Sequence, residues 1–216
     1  MPRNPSLSGV RRSGDRGVTE GRGAGQMGWY RFAAGLLEGK TVLDVGAGTG
    51  RGAEAFAGKA RAVSKQDVDP QLEELGVIVK PLESFDDNAF DFVTAVDVVE
   101  HVECDQEFCR QIARIAADAC FVTTPLHNYR RQFWPFHVRE YTFREFHDLV
   151  ITPGDCSFFL GTPSGDGVYP GKSGERLFFV ERMINNELTN LPTRAAQKLL
   201  PAHARYNSHQ AVLIRV

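Results

Sequence analysis

The nine residues from Val42 to Gly50 read VLDVGAGTG, a short apolar run that leads directly into glycines at alternate positions. A run of this kind is typical of a strand that is buried on both faces of a sheet. The glycines predict a tight turn whose backbone can approach a ligand closely. The competing interpretation is a strand-to-helix turn without a ligand, which leaves the acid at Asp44 buried with no evident partner.

Outward from this stretch, apolar runs of strand length alternate with segments of helical periodicity. Such alternation predicts an α/β fold with a Rossmann-like, doubly wound, mostly parallel sheet and helices on both faces. Ligands of these sheets bind beyond the carboxyl ends of the strands. The predicted strands are 41–45, 62–66, 77–79, 90–96, 120–123, 156–160, 176–180 and 211–216, and the predicted helices lie near 26–37, 72–75, 104–115, 142–150 and 195–200.

The two ends of the chain are basic although the formal net charge is -2. Residues 1–25 hold five arginines and two acids and have little to bury, so we expect a disordered basic N-terminal segment. Residues 26–216 then form a single domain, in which 155–216 supply further strands together with a lid or a tail. An acidic body with basic ends lacks the basic stripe of a nucleic-acid-binding domain.

The cysteines and the hydropathy pattern bear on location. The four cysteines show neither CxxC pairs nor the dense spacing of a secreted disulfide scaffold, which favours free thiols in a reducing compartment. No apolar run approaches the length of a membrane span, and the N-terminus lacks the apolar core of a signal peptide. The sequence therefore predicts a cytoplasmic protein without a membrane span.

Three ligands compete for the glycine loop. A phosphate-binding P-loop needs Gly-Lys-Ser/Thr after the glycines, and a dinucleotide loop needs a sixth-position glycine where this chain has Arg51. Asp44 precedes the first glycine and is suited to an ammonium group, whereas Asp67 ends the next strand and is suited to a ribose diol. Together they indicate a nucleoside joined to an amino acid.

These segments resemble the class I S-adenosylmethionine-dependent methyltransferases, in particular the type-11, quinone-biosynthesis-like branch. The resemblance rests on VLDVGAGTG, on DVDP from Asp67, on FDFVTAVDVVEHV from Phe90 and on FVTTP from Phe121. The sequence departs from the family pattern after the third strand, where Lys80-Pro81-Leu82 stands in place of an aspartate and Glu83 is the nearest acid. It departs again before the fifth strand, where the Pro-Gly-Gly turn is missing. The resemblance implies S-adenosylmethionine as cofactor, held by Asp44, Gly46, Ala47, Gly48, Gly50, Asp67, Val68, Glu83 and Asp97.

The acceptor side is expected after the fourth and fifth strands. Methyl transfer needs alignment and, for a hydroxyl acceptor, a base, for which Glu100, His101 and His137 are the candidates. His137 belongs to an aromatic and basic loop, residues 128–140, that could cover a small-molecule acceptor. Ordinary structural roles compete for both histidines.

A second interpretation treats the same residues as metal ligands. Asp97, Glu100, His101 and His137 resemble the acid, acid, histidine and histidine of metal-assisted RNA 2′-O-methyltransferases, and two carboxylates with two imidazoles suit a divalent cation. The primary expectation is an enzyme without a metal that methylates an oxygen or nitrogen atom of a small molecule. A third alternative is a regulatory module that binds S-adenosylmethionine without turnover.

Overall fold

The computed structural model describes residues 24–127, 136–150, 155–161, 169–170, 174–201 and 205–216. Most of the N-terminal segment that we expected to be disordered lies outside these residues. So do residues 128–135 of the predicted aromatic and basic loop. Ala24 and Gly25, which we had assigned to the N-terminal segment, form the start of the first helix.

The strands form one eight-stranded sheet in the order β3-β2-β1-β4-β5-β8-β6-β7. All pairings among the first five strands are parallel, while β8 is antiparallel to both β5 and β6. The Rossmann-like α/β fold predicted from the sequence is confirmed. The strands are β1 (Thr41–Val45), β2 (Ala62–Asp67), β3 (Ile78–Val79), β4 (Phe90–Val96), β5 (Ala116–Pro125), β6 (Asp155–Gly161), β7 (Tyr169–Pro170) and β8 (His209–Arg215).

Five α-helices accompany the sheet in the described part of the chain, with short 3₁₀ helices at several strand ends. The segment Arg176–Val180 was predicted to be a strand, and that prediction is wrong because it lies inside a helix. The buried residues Leu177, Glu181 and Ile184 of this helix recur at helical spacing, but the apolar run was too short to show that spacing. The helices are α1 (Ala24–Ala34), α2 (Asp105–Ile115), α3 (Phe143–Val150), α4 (Gly174–Ile184) and α5 (Asn190–Gln197).

The sheet separates two apolar cores. Because successive strand side chains point to opposite faces, Val93 and Ala95 of β4 pack in the core that contains α2 and α3. Phe92 and Val96 of the same strand pack in the core that contains α1, with Trp29 as its largest residue. Helices therefore cover both faces of the sheet, and we name these the α2 face and the α1 face.

Side chains cap two of the helices. The Thr142 hydroxyl accepts a hydrogen bond from the Glu145 amide at 3.3 Å, and the Glu145 carboxylate accepts one from the Thr142 amide at 2.8 Å. Asp69 accepts a hydrogen bond from the Gln71 amide at 3.0 Å and caps the 3₁₀ helix Pro70–Leu75. Within the described residues, no helix combines the length and apolar character that a bilayer crossing requires.

Candidate active site

The glycine loop after β1 has the left-handed backbone that its composition predicts. Gly46, Gly48 and Gly50 have φ values of +61°, +57° and +81°, a region that side chains disfavour. A Cβ atom added at Gly46 would lie 2.7 Å from a methyl group of Val98. One added at Gly48 would meet no atom within 4 Å, so the loop borders open space at that residue.

Asp67 at the end of β2 lies against this loop. Its Oδ2 atom accepts a hydrogen bond from the Gly48 amide at 2.9 Å, and Oδ1 accepts bonds from the amides of Val68 at 2.7 Å and Asp69 at 3.1 Å. The structure thus brings the residues predicted to hold the two ends of the cofactor into contact. The parallel register of β1 and β2, which places both strand ends at one edge, accounts for this.

Asp44 is fully buried and its partners come from the protein. Its carboxylate accepts hydrogen bonds from the hydroxyls of Tyr30 at 3.1 Å and Thr94 at 2.7 Å. Two hydroxyl donors offset much of the cost of burying this group. The protein itself thus supplies partners for Asp44 directly before the glycine loop, and its predicted role toward an ammonium group stays a prediction.

Gln66 ties the glycine loop to the segment after β3, and sequence reasoning missed it. Its Oε1 atom lies 3.5 Å from the Gly46 amide, while Nε2 donates to the Lys80 carbonyl at 2.7 Å. Glu83, predicted to meet the adenine, is exposed, and no hydrogen bond within the described residues joins it to the loop. Its predicted role stays a prediction.

The acceptor-side candidates Glu100, His101 and His137 form one cluster. A ligand-type atom from each lies within 4.8 Å of those from the other two. The His101 and His137 rings meet edge to face with centroids 4.9 Å apart, and Glu100 is fully buried and accepts a hydrogen bond from the Thr124 hydroxyl at 3.1 Å. The Val138 amide donates to the Glu100 carbonyl at 2.8 Å, which brings residues distant in sequence together.

Each of the two imidazoles has an acceptor oxygen beside its Nδ1 atom. Nδ1 of His101 lies 3.1 Å from the Phe136 carbonyl, and Nδ1 of His137 lies 2.9 Å from the Glu140 carboxylate. Carbonyl and carboxylate oxygens only accept, so each neutral ring carries its proton on Nδ1 and its lone pair on Nε2. An imidazole held in this way can take a proton or bind a cation through Nε2.

Tyr141 fixes the backbone that follows this cluster. Its carbonyl accepts from the His127 amide at 2.7 Å, and its phenol donates to Asp105 at 2.9 Å. Burial raises the pKa of Tyr141 far above its usual value, so the phenol stays protonated and remains a donor. This anchor holds Glu140, the partner of His137, at the end of β5.

Asp97 does not join the histidine cluster, which corrects the predicted four-residue metal set. It has a φ of +52°, and its Oδ1 atom accepts a hydrogen bond from the Thr123 hydroxyl at 2.7 Å. Its Oδ2 atom lies 3.7 Å from Nε2 of His209, whose ring stacks on Trp29. Thr123 and His209 belong to the α1 face, whereas Thr124 belongs to the α2 face, so the sheet separates Asp97 from Glu100.

His209 is the residue of this edge that sequence reasoning missed. It is the first residue of β8 and pairs with Pro125 at the end of β5. Because β8 is antiparallel, its amino end meets the carboxyl ends of the parallel strands. In the sequence, the only signal was a histidine beside an apolar run. That signal identifies a site residue only when the direction of β8 in the sheet is known.

Comparison with known proteins gives the fold and a family-model match to part of the chain. Residues 43–119 match a family model described as a methyltransferase domain. No curated protein matches the sequence significantly. A Thermotoga maritima S-adenosylmethionine-dependent methyltransferase, a possible histamine N-methyltransferase, is 14% identical with a TM-score of 0.54 over 89% of this chain and 91% of that chain.

Two further solved structures are similar. A Haloferax volcanii complex of the Trm112 methyltransferase activator with a methyltransferase gives a TM-score of 0.60 at 14% identity over 95% and 96% of the two chains. An Archaeoglobus fulgidus S-adenosylmethionine-dependent methyltransferase gives 0.54 at 14% identity over 88% and 92%. At these identities, the likeness shows the fold.

The fold, the glycine loop and the family match together define an enzyme, a class I S-adenosylmethionine-dependent methyltransferase. The part of the chain that matches the methyltransferase-domain model is residues 43–119, which include the glycine loop, most of β1 and the strands β2 to β4. S-adenosylmethionine is its cofactor. The site fits that molecule because the loop is open at Gly48 and the Asp67 carboxylate lies beside it.

Proposed function

We propose that this enzyme methylates an oxygen or nitrogen atom of a small-molecule acceptor, with Glu100, His101 and His137 on the acceptor side. The observation that carries the proposal is the pair of neighbouring imidazoles, each held with its lone pair on Nε2. A base in this state accepts the proton that a hydroxyl or ammonium acceptor loses. We place the reaction in the cytoplasm, since all four cysteines are free thiols.

We assign the cofactor to residues at and after the adjoining strand ends. Asp67 and Val68 are assigned to the ribose, and the loop with Asp44 and Asp97 is assigned to the methionine part. Bound there, S-adenosylmethionine supplies an electrophilic methyl group. The protein's share is to align donor and acceptor, because in-line displacement needs the reacting atoms within about 3–3.5 Å. The full cofactor set is Asp44, Gly46, Ala47, Gly48, Gly50, Asp67, Val68, Glu83 and Asp97.

The test is formation of S-adenosylhomocysteine with a panel of small hydroxyl and amine acceptors. With any acceptor that is turned over, we expect His101→Gln and His137→Gln to lower kcat about 10²–10⁴-fold, the usual contribution of general base catalysis. His147→Gln, a partly exposed histidine on α3 outside the cluster, is the matched control. Equal activity of all four proteins would disprove the assignment of the base.

A second candidate function is metal-assisted RNA 2′-O-methylation. It is favoured by the mutual proximity of Glu100, His101 and His137, a donor set that suits a divalent cation, which lowers the pKa of a bound hydroxyl. Asp97, the fourth ligand expected, lies with Thr123 instead. In this alternative, Mn²⁺ titrated into metal-free protein binds with heat that Glu100→Gln abolishes, and RNA binding weakens steeply with salt. Activity that survives chelation would exclude it.

A further inference from the structure

A cavity of about 250 Å³ lies between α5 and the segment that leads into β8, outside the candidate active site. Arg194 of α5 and Lys198, the residue directly after α5, line it on one side, and Arg205 lines it on the other. The amides of Gln197 and Asn207 complete its polar wall. None of its lining residues is acidic.

Among the residues that the structure describes, no acidic side chain neutralises the positive charge of this cavity. Within the described part of the chain, no carboxylate forms an ion pair with Arg194, Lys198 or Arg205. The Arg205 guanidinium donates to the carbonyls of Leu200 at 2.8 Å and Lys198 at 3.1 Å, which holds it at the end of α5. Three cations that share one concave surface favour an anion there.

Two amide groups in the same wall are buried donors that lack an acceptor. Oε1 of Gln197 accepts a hydrogen bond from the Tyr206 amide at 2.6 Å, which fixes the orientation of the side-chain amide. The opposite atom, Nε2, is buried and has no hydrogen-bond partner among the described residues. Nδ2 of Asn207 is in the same state. Buried donors of this kind are normally satisfied, so each would gain a hydrogen bond from an acceptor oxygen that reached it.

We propose that this cavity binds the phosphoryl group of a small phosphomonoester. A phosphoryl group carries negative charge and three acceptor oxygens, which match guanidinium, ammonium and amide donors. The cavity has the volume of about eight water molecules and is smaller than the roughly 300–1,000 Å³ typical of drug-sized ligands. It therefore accommodates a phosphoryl group with a few attached atoms.

The cavity lies near the strand ends that carry the candidate active site. The carbonyl of Ser208, one of its lining residues, accepts a hydrogen bond from the Leu126 amide at 2.8 Å. Leu126 is two residues beyond Thr124, which bonds to Glu100. The anion site goes beyond the proposed function, because it uses none of the residues assigned to the cofactor or to the base.

The sharpest variant is Gln197→Glu. A glutamate keeps the oxygen that accepts from the Tyr206 amide and replaces the unpaired donor with a second oxygen, which repels an anion. Inorganic phosphate and glycerol phosphate are titrated by calorimetry into the full chain at constant ionic strength. We expect saturable binding of both to the original chain at one competitive site, and at least a tenfold loss of affinity in Gln197→Glu.

Two further proteins complete the experiment. Lys198→Ala should also weaken phosphate binding, whereas Arg182→Ala removes an exposed arginine of α4 outside the cavity and should leave it unchanged. The affinity for S-adenosylhomocysteine should be the same in all variants, which separates this proposal from the proposed function. Tighter binding of glycerol phosphate than of phosphate supports the ester as the ligand, whereas equal or weaker binding would overturn the assignment to an ester in favour of the free ion.

Two further results would overturn the proposal of an anion site as a whole. One is the absence of saturable binding of either probe to the original chain. The other is binding that Gln197→Glu leaves intact, or that Arg182→Ala reduces as strongly as Lys198→Ala does. Unchanged thermal unfolding midpoints show that all variants are folded.

Discussion

Replacing Gly48 by alanine separates a cofactor role from a purely structural one. Gly48 has a φ of +57°, and a Cβ atom there would meet nothing within 4 Å. Gly39, in the turn before β1, has a φ of +71° and equally open surroundings. It is a matched control at the opposite end of the strand, because both substitutions impose the same backbone strain and differ only in what the added methyl group faces.

The expected magnitudes follow from this comparison. A side chain in the left-handed region costs about 1–2 kcal/mol, so both variants should unfold about 2–8 °C below the original chain. If cofactor fills the space at Gly48, the methyl group overpacks it by about 1–3 kcal/mol, a loss of affinity of about 5-fold to 140-fold. Gly39→Ala should bind the cofactor normally.

The assay is calorimetric titration of S-adenosylhomocysteine into each protein, with thermal unfolding measured in parallel. Two results refute the reasoning. In the first, Gly48→Ala retains full affinity, which would mean that the cofactor does not approach this part of the loop. In the second, Gly39→Ala loses as much affinity as Gly48→Ala, which would assign the effect to general destabilisation.

Four other predictions follow. Asp67→Ala should weaken S-adenosylhomocysteine binding by about 1–3 kcal/mol, the cost of lost hydrogen bonds to a charged group, and unchanged calorimetric affinity would contradict this. Tyr30→Phe, which removes a donor to Asp44, should lower the free energy of unfolding in urea by about 1–3 kcal/mol; a neutral effect would contradict the contact. Burial raises the pKa of Cys109 to about 12, so at pH 8 about one thiol in 10⁴ is ionised. Iodoacetamide should therefore label Cys109 only after the protein is unfolded, which mass spectrometry can check. Burial also raises the pKa of Glu181, so the folded state keeps this proton at pH values above the unfolded pKa, and the free energy of unfolding falls as the pH rises from the unfolded to the folded pKa. Glu181→Gln should reduce this dependence on pH, measured by urea unfolding at pH 4.5 and 7.5. The same pH dependence in both proteins would refute the prediction.

The parallel half of the sheet was predictable because strands buried on both faces are nearly continuous apolar runs. Phe90–Val96 was predicted with its observed bounds, and the tight turn expected at the glycines is present, with Gly46, Gly48 and Gly50 at φ > 0. The C-terminal third was harder, since Arg176–Val180 is too short an apolar run to distinguish a strand from a buried helix face.

The sequence predicted which residues belong to the candidate site better than it predicted which of them lie together. Glu100, His101 and His137 come together as expected, because the Glu100 carbonyl binds the backbone that follows His137. Asp97 was grouped with them because the four residues resemble the metal set of RNA 2′-O-methyltransferases. In the structure Asp97 has a left-handed backbone, and a non-glycine residue with φ > 0 is not evident from the sequence.

Strand alternation explains why this edge of the sheet holds two chemically different groups of residues. Asp44, Thr94 and Thr123 point to the α1 face, where their hydrogen bonds involve Tyr30 and Asp97. Thr124, one residue further, points to the α2 face and binds Glu100. If the first group holds the methyl donor and the second removes the proton, substitutions on the α1 face should change cofactor affinity while those on the α2 face change kcat. A single variant that altered both quantities to the same degree would show that the sheet does not divide the two tasks.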